Sequence, residues 1–202
     1  QNGFINYHPE NISVAGLNLN TSLSGTIDKP SVEYAITSQK ITVPPTRIDS
    51  LEISGKTGLD TFLVNSAKVF LPGMGNLDLS LKVPLQNLDS ILVHPGLEAE
   101  IVVGRFPLPY LSPFLPENMI ERGVVKGMVK LRISNGRPVM IGRLMVSKFA
   151  IILDGIEPMI GPADAEIVFS DDTLQLAWLQ GKWGKKGTFQ GNGYVVWDQS
   201  GI

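Results

Sequence analysis

The side chains that most often catalyse reactions or bind metal ions are scarce in this sequence. It contains two histidines and no cysteine, and neither His8 nor His94 belongs to a cluster with the spacing of metal ligands or of a general base. Asp171 and Asp172 are adjacent and stand between two strand patterns, which predicts a hairpin turn rather than an acid–base pair. We therefore expect no enzyme, no catalytic residue, no bound metal and no cofactor.

Nucleophile and phosphate-loop motifs are also missing. The G-x-S-x-G elbow of serine nucleophiles does not surround Ser24, Ser54 or Ser112. The glycine-rich stretch GKWGKKG (181–187) lacks the Walker pattern, and no helix pattern follows it. Lys182, Lys185 and Lys186 beside Trp183 could form a head-group or nucleic-acid patch. A solvated hairpin tip is the favoured interpretation because the net charge is −2, so we expect no nucleic-acid partner.

Composition indicates a globular chain rich in turns. Of its 202 residues, 43% are hydrophobic and only 18% charged, with 21 glycines and 14 prolines. The longest apolar run, residues 149–153, is far shorter than the roughly 18 residues that span a bilayer. No signal-peptide pattern opens the sequence. We expect the chain to be a segment of a longer protein whose membrane anchor lies outside it.

Period-2 alternation dominates the sequence and predicts β-strands with one apolar face. The clearest case is residues 76–84, where Leu77, Leu79 and Leu81 alternate with polar residues. We predict about ten or eleven strands in an antiparallel meander, with almost no helix. Within the first strand, residues 12–27, the apolar parity shifts at Ala15–Gly16, which predicts a β-bulge.

Later strands extend the same pattern. Residues 59–71 form a long predicted strand with Leu63 and Ala67 on one face, and Trp178 continues the alternation of residues 174–178. The last strand, residues 187–197, carries Gly191 and Gly193 between apolar residues. A close approach of a lipid chain or a bend would explain these glycines, and the bend is favoured.

An apolar segment that contains several prolines, residues 104–122, interrupts the strand patterns. Its prolines exclude a central strand or a long helix but allow one helical turn between Pro109 and Leu115. The segment could cap the apolar face, plug it, or interrupt the sheet. The residues expected to form a cap are Leu108, Leu111, Phe114 and Leu115.

A weak, irregular repeat supports a family resemblance. GTIDKPSVEYAI (25–36) and GMVKLRISNGRPVMIGRLMV (127–146) share a Gly–strand–turn–Pro–strand phrase, and GPADAEIVFSDDTLQLAWLQGKWG leads into GTFQGNGYVVW over 161–197. With PLPYLSPFLPE (107–117), these stretches resemble the AsmA-like superfamily of bacterial envelope proteins, in particular the C-terminal region of its TamB family. The resemblance implies a sheet bent into a trough, an inner-membrane anchor, a periplasmic location, phospholipid transport and support of outer-membrane protein assembly.

We therefore expect an all-β fold, a long curved antiparallel sheet forming a U-shaped trough with an apolar interior, over residues 1–202 as one segment. A wide, twisted sheet must curl, split or close, so a two-layer sandwich and a closed barrel are the competing architectures. In the trough, phospholipid acyl chains would contact the following groove-lining residues: Leu77, Leu79, Leu81, Ile101, Val103, Val129, Leu131, Ile133, Ala165, Ile167, Leu174 and Leu176.

The first functional hypothesis is a periplasmic conduit that passes phospholipid between the inner and outer membranes. The second is a structural module whose exposed edge strand pairs with a partner by β-augmentation. By the family resemblance, that partner would be an outer-membrane assembly protein of the TamA or BamA type.

Overall fold

Nearly all of the described chain is β-strand. The computed structural model describes residues 3–7, 12–43, 46–73, 75–85, 96–114, 120–134, 136–153 and 156–196. Their regular elements are strands and one 3-10 helix, so the all-β prediction is confirmed.

The strands follow one another with short connections. The first eight are β1 (Gly3–Tyr7), β2 (Ile12–Thr26), β3 (Lys29–Ser38), β4 (Lys40–Val43), β5 (Thr46–Ile48), β6 (Ser50–Thr57), β7 (Thr61–Leu71) and β8 (Gly75–Pro84). The remainder are β9 (Glu98–Pro107), the 3-10 helix (Leu108–Phe114), β10 (Ile120–Ser134), β11 (Arg137–Leu153), β12 (Ile156–Asp171), β13 (Thr173–Trp183) and β14 (Gly187–Val196). The count exceeds the predicted ten or eleven, in part because the short strands β1 and β5 were not predicted.

The sheet is antiparallel and open. Its strand order is β14-β13-β12-β11-β10-β9-β8-β7-β6-β3-β2-β4-β5, with β1 pairing β2. Among the described strands, β14 and β5 each have one neighbour in this order, so the sheet is not closed on itself. The chain divides into two compact units, Gln1–Val102 with Lys130–Pro138 (unit 1) and Val103–Val129 with Val139–Ile202 (unit 2).

Two β-bulges control which side chains share a face in unit 1. Gly3 and Ile5 of β1 pair with Leu17 and Val14, so β2 carries one extra residue at Ala15–Gly16. Gly16 has a φ of 64°, which glycine adopts without strain. The bulge predicted at Ala15–Gly16 is confirmed.

The second bulge of unit 1 was not predicted. Val64 and Ala67 of β7 pair with Leu81 and Leu79 of β8, so β7 carries one extra residue between them. Leu63 then pairs with Lys82 and lies on the polar face, while Val64 takes the apolar position. The predicted apolar placement of Leu63 is therefore wrong, because the bulge shifts the alternation by one residue.

Unit 2 contains a comparable bulge in β13. Glu166 pairs with Trp178 and Ile167 pairs with Leu176, which leaves Ala177 as the extra residue. Trp178 consequently lies on the face opposite Leu176, and the predicted continuous alternation through Trp178 is wrong. The predicted turn at Asp171–Asp172 is confirmed, since β12 ends at Asp171 and β13 begins at Thr173.

The proline-rich segment is shorter than the predicted 104–122. Strand β9 continues to Pro107 and β10 begins at Ile120, because a proline is tolerated at the end of a strand. The helical turn predicted between Pro109 and Leu115 is present as the 3-10 helix. Residues 115–119 lie outside the described chain.

Candidate functional site

Unit 1 carries a continuous apolar face across five strands, β2, β3, β6, β7 and β8. Directly paired residues of antiparallel strands lie on the same face, so the register defines rows that cross the sheet. The first row is Leu19, Ile36, Ile53, Ala67 and Leu79. The next is Thr21, Tyr34, Gly55, Val64 and Leu81, followed by Leu23, Val32, Thr57, Phe62 and Val83. We call these three rows the apolar face of unit 1.

The opposite face of unit 1 is mostly polar and carries ion pairs. Lys56 pairs with Glu33 at 3.7 Å, and Lys82 pairs with Glu98 at 3.5 Å. Ser66 donates a hydrogen bond of 2.8 Å to Asp78. These charged groups stay solvated on one side of the sheet, so the two faces differ sharply in polarity.

Unit 2 has its own apolar face across β11, β12, β13 and β14. Its rows are Leu144, Ile167, Leu176 and Gly193; Gly142, Phe169, Leu174 and Val195; Val146, Ala165, Leu179 and Gly191; and Phe149, Ala163, Gly181 and Phe189. We call these four rows the apolar face of unit 2. Ala163 and Ala165 are buried, whereas Val195 at the β14 edge is 61% exposed.

Neither apolar face is sealed by a packed core. In the part of the chain that the structure describes, no large side chain is fully buried, and the only hydrophobic residues counted as buried are Val64, Leu71, Leu97, Ile133, Ala150, Ala163 and Ala165. Leu19 and Leu23 are 64% and 76% exposed although they belong to the apolar face of unit 1. Because an ordinary domain buries its large apolar side chains against a second layer, these faces retain surface that a ligand can cover.

Where the pairing register shows which face a residue lies on, the predicted groove-lining residues lie on these apolar faces. Leu77, Leu79 and Leu81 pair with Val69, Ala67 and Val64 on the apolar face of unit 1 or its continuation. In unit 2, the predicted residues Ala165, Ile167, Leu174 and Leu176 share one face across β12 and β13.

For β9 and β10, the ion pairs show which face of the sheet each side chain lies on. Glu98 and Glu100 bind Lys82 and Lys130, respectively, on the polar side. Alternation therefore turns the predicted residues an odd number of positions from Glu100 or Lys130 to the apolar side. These are Ile101 and Val103 on β9, and Val129, Leu131 and Ile133 on β10. Ile133 is buried, but Ile101 is 43% exposed.

The predicted cap is described only in part. Leu108 lies against Gly123 of β10, where a Cβ atom would come within 2.7 Å of its Cδ1. Leu111, one turn further on, is 40% exposed. The side chain of Phe114 and the whole of Leu115 lie outside what the structure describes, so capping stays a prediction.

Several residues of the apolar faces were absent from the predicted set. Ile36, Ile53 and Ala67 complete the row of Leu79, while Leu144 and Leu179 extend the face of unit 2. Except for Leu179, which follows the bulge of β13, their alternation was visible in the sequence, but the rows depend on pairing register. The sequence signals were therefore sufficient to place them in strands and insufficient to align them.

Tyr34 is the one aromatic side chain with a hydroxyl in the apolar face of unit 1. Its ring lies over Gly55, where any side chain would overlap it, and stacks on Phe62 at a centroid distance of 5.7 Å. Its hydroxyl donates a 3.0 Å hydrogen bond to the Leu63 carbonyl. Burial raises the pKa of the Tyr34 phenol above its ordinary value. Tyr34 therefore contributes aromatic surface to the face while its hydroxyl stays satisfied.

On the polar face of unit 2, Glu166 organises a small network. Its Oε2 accepts a 2.7 Å hydrogen bond from the Trp178 indole, and its Oε1 pairs with Arg143 at 2.9 Å. The Glu166 side chain is 14% exposed. The same bulge that moved Trp178 off the apolar face thus brings its N–H to an acceptor, which a half-buried indole requires.

The candidate catalytic groups form no constellation where the structure describes them. His8 and His94 lie outside the described ranges. Ser24 donates a hydrogen bond to the Ser31 carbonyl at 3.4 Å, and Ser54 lies on the polar face of unit 1. No three histidine, aspartate or glutamate side chains come together as a metal site within the described ranges.

Comparisons with protein-family models, curated proteins and solved structures gave no match to this chain. The resemblance to the AsmA-like superfamily therefore stays a prediction from the sequence. Within the ranges described, no helix has the length and apolarity needed to cross a membrane.

Proposed function

We propose that this chain binds phospholipid acyl chains on its apolar faces and passes them along as a segment of a conduit between two membranes. The observation that carries the proposal is the ordered set of apolar rows whose large side chains remain partly exposed. The AsmA-like resemblance supports the same function and adds a periplasmic location in a protein anchored in the inner membrane.

The dimensions of the apolar face of unit 1 suit one acyl chain. Four intervals between its five strands, at about 4.8 Å each, span about 19 Å. Half of a bilayer's hydrocarbon core, the depth that one chain occupies, is about 15 Å. A chain of about 16 carbons gains on the order of 13 kcal/mol when its methylenes leave water. The face therefore supplies enough contact for binding without any polar recognition of the tail.

An open face also suits transfer better than storage. The rows are mainly apolar, and the Tyr34 hydroxyl is already hydrogen-bonded to the Leu63 carbonyl. Little in the rows therefore holds a tail at one position, and a tail can slide from one row to the next. The polar head stays in water, and no covalent step is needed. Transfer is then passive, and its direction follows the difference in lipid chemical potential between the two ends of the conduit.

Site-specific photocrosslinking tests the proposal in each unit separately. A photoreactive phenylalanine analogue placed at Leu23 or Val195 should label phospholipid from vesicles. The same analogue at Ser22 or Tyr194 should label several-fold less, since these exposed neighbours lie on the opposite faces. Equal labelling at both members of each pair would show that lipid contacts the surface without regard to face, and would exclude the proposal.

A second candidate function has one observation in its favour. Strand β14 has a single neighbour among the described strands, and Tyr194, Val195 and Val196 are all more than half exposed. An exposed edge of this kind can accept a partner strand, which we propose would come from an outer-membrane assembly protein of the TamA or BamA type. Tyr194→Lys puts a charge on this edge strand, on the face opposite the apolar rows, and lysine on an edge disfavours strand pairing. It should weaken that association while leaving lipid labelling at Leu23 unchanged.

A further inference from the structure

Three basic residues that are distant in sequence line one open concavity in unit 2. Arg122 of β10, Lys148 of β11 and Lys182 of β13 surround a space of about 900 Å³. None of the three is in an ion pair with another residue that the structure describes, whereas five other basic side chains are so paired. The concavity thus gathers three positive charges against one carboxylate, in a chain whose net charge is −2.

A bulge in β11 directs Lys148 to this place. Val146 and Phe149 pair with Ala165 and Ala163, so β11 carries one extra residue between them. Lys148 has a φ of 52°, a left-handed conformation that is uncommon for lysine. Its backbone N–H, freed from the ladder, donates a 2.8 Å hydrogen bond to Asp164 Oδ1. Bulges commonly re-aim a side chain in this way.

Asp164 is the one acidic residue in the lining, and this hydrogen bond already engages one of its carboxylate oxygens. The rest of the lining offers neutral hydrogen-bonding groups from neighbouring strands. Gln180 pairs directly with both Asp164 and Gln190, and Thr188 pairs with Lys182. Three cations with amide and hydroxyl groups beside them match the several acceptor oxygens of a phosphate.

Gly181 and Phe189 also border the concavity, although the register puts them in the last row of the apolar face of unit 2. The Phe189 ring lies over Gly181, where a Cβ atom would come within 2.6 Å of the ring's Cζ. Because side chains alternate along a strand, Lys182, Gln180 and Gln190 lie on the other side of the sheet from that row. A phosphate group bound by the three cations would therefore lie on the polar face of unit 2.

We propose that this concavity binds a phosphate-bearing anion, with Arg122, Lys148 and Lys182 as its cationic contacts. Its assignment to a phospholipid head group rests on the proposed acyl-chain function, whereas phosphate recognition by the site does not. The sequence showed Lys182 only as part of a lysine-rich hairpin. The register places it instead beside two cations from other strands.

Titrations of the full chain at fixed ionic strength, followed by amide chemical shifts of Lys148, Asp164 and Gln190, test the proposal. The probes are inorganic phosphate, dihexanoyl phosphatidylglycerol and dihexanoylglycerol, which has the same tails without phosphate. The matched variants are Lys182→Gln, within the lining, and Lys185→Gln, which removes the same charge from the adjacent turn. Lys182→Gln should weaken binding of both phosphate probes by about tenfold, and Lys185→Gln by less than about twofold.

The outcomes separate this site from the acyl-chain function. Weaker binding of both phosphate probes in Lys182→Gln alone supports a head-group site. Binding of inorganic phosphate without either lipid supports the anion site, identifies free phosphate as its ligand and counts against the acyl-chain function. Equal effects of the two lysine variants, or tight binding of dihexanoylglycerol with no response to either phosphate probe, overturn the anion site. The last result would leave the acyl-chain function standing.

Discussion

Leu19→Asp should weaken phospholipid binding strongly while leaving the fold almost unchanged. Leu19 begins the first row of the apolar face of unit 1 and is 64% exposed. Because its side chain is mostly in water, an aspartate there should change the free energy of unfolding by less than about 0.5 kcal/mol. Its charge should keep two or three methylenes of a bound tail from the surface, at about 0.8 kcal/mol each. That loss is about 2 kcal/mol, or about 30-fold in affinity.

The matched control is Asn20→Asp, which adds the same charge one residue further along β2 on the polar face. A fluorescent phospholipid displaced by unlabelled lipid measures affinity, and urea unfolding followed by circular dichroism measures stability. The control should bind lipid within about twofold of the wild-type chain. Unchanged affinity in Leu19→Asp, or an equal loss in both variants, would show that tails do not lie along this row.

Three further predictions concern the framework of the two units. Tyr34→Phe should lower the free energy of unfolding by about 1 kcal/mol at pH 7 through its lost hydrogen bond. The folded pKa of Tyr34 is raised above the unfolded value of about 10. The stability difference between the wild-type chain and Tyr34→Phe should therefore shrink as the pH rises beyond about 10. Urea unfolding from pH 7 to 11 measures this difference. Glu166→Ala should lower the free energy of unfolding by about 1–3 kcal/mol, because it leaves the Trp178 indole N–H without an acceptor. Glu100→Ala, whose carboxylate is in a more exposed ion pair, should lower it by less than about 1 kcal/mol. Equal losses in chemical denaturation would refute the network. Gly191→Val, with open space around its Cβ position, should be tolerated or slightly stabilising, while Gly181→Val should clash with Phe189 and lower the melting temperature.

The sequence predicted the strands well where their alternation is unbroken. Leu77, Leu79 and Leu81 share a face because β8 carries no extra residue between them. The bulge at Ala15–Gly16 was also predictable, because a parity shift coincides with a glycine that can adopt a positive φ. Composition and alternation thus define the fold class and much of each apolar face.

The bulges without a glycine were not predictable in the same way. The extra residue between Val64 and Ala67 has no local marker, so Leu63 was assigned to the wrong face. In β13 the extra Ala177 likewise moves Trp178 to the polar side. A one-residue shift exchanges faces without changing the apolar content of the strand, and only the pairing partner reveals it.

The cationic concavity depends even more on pairing. Arg122, Lys148 and Lys182 come from three strands, and no sequence spacing relates them. Their meeting is a consequence of strand order together with the bulge at Lys148. Sites of this kind become visible only when the register of the whole set of strands is known.

Native mass spectrometry of the chain after incubation with phospholipid vesicles is the decisive measurement for acyl-chain binding. We expect folded protein carrying one or more intact phospholipid molecules, with occupancy reduced in Leu19→Asp and retained in Asn20→Asp. Protein that stays folded by circular dichroism yet emerges free of lipid, or that carries equal lipid in both variants, would show that the apolar faces do not bind acyl chains.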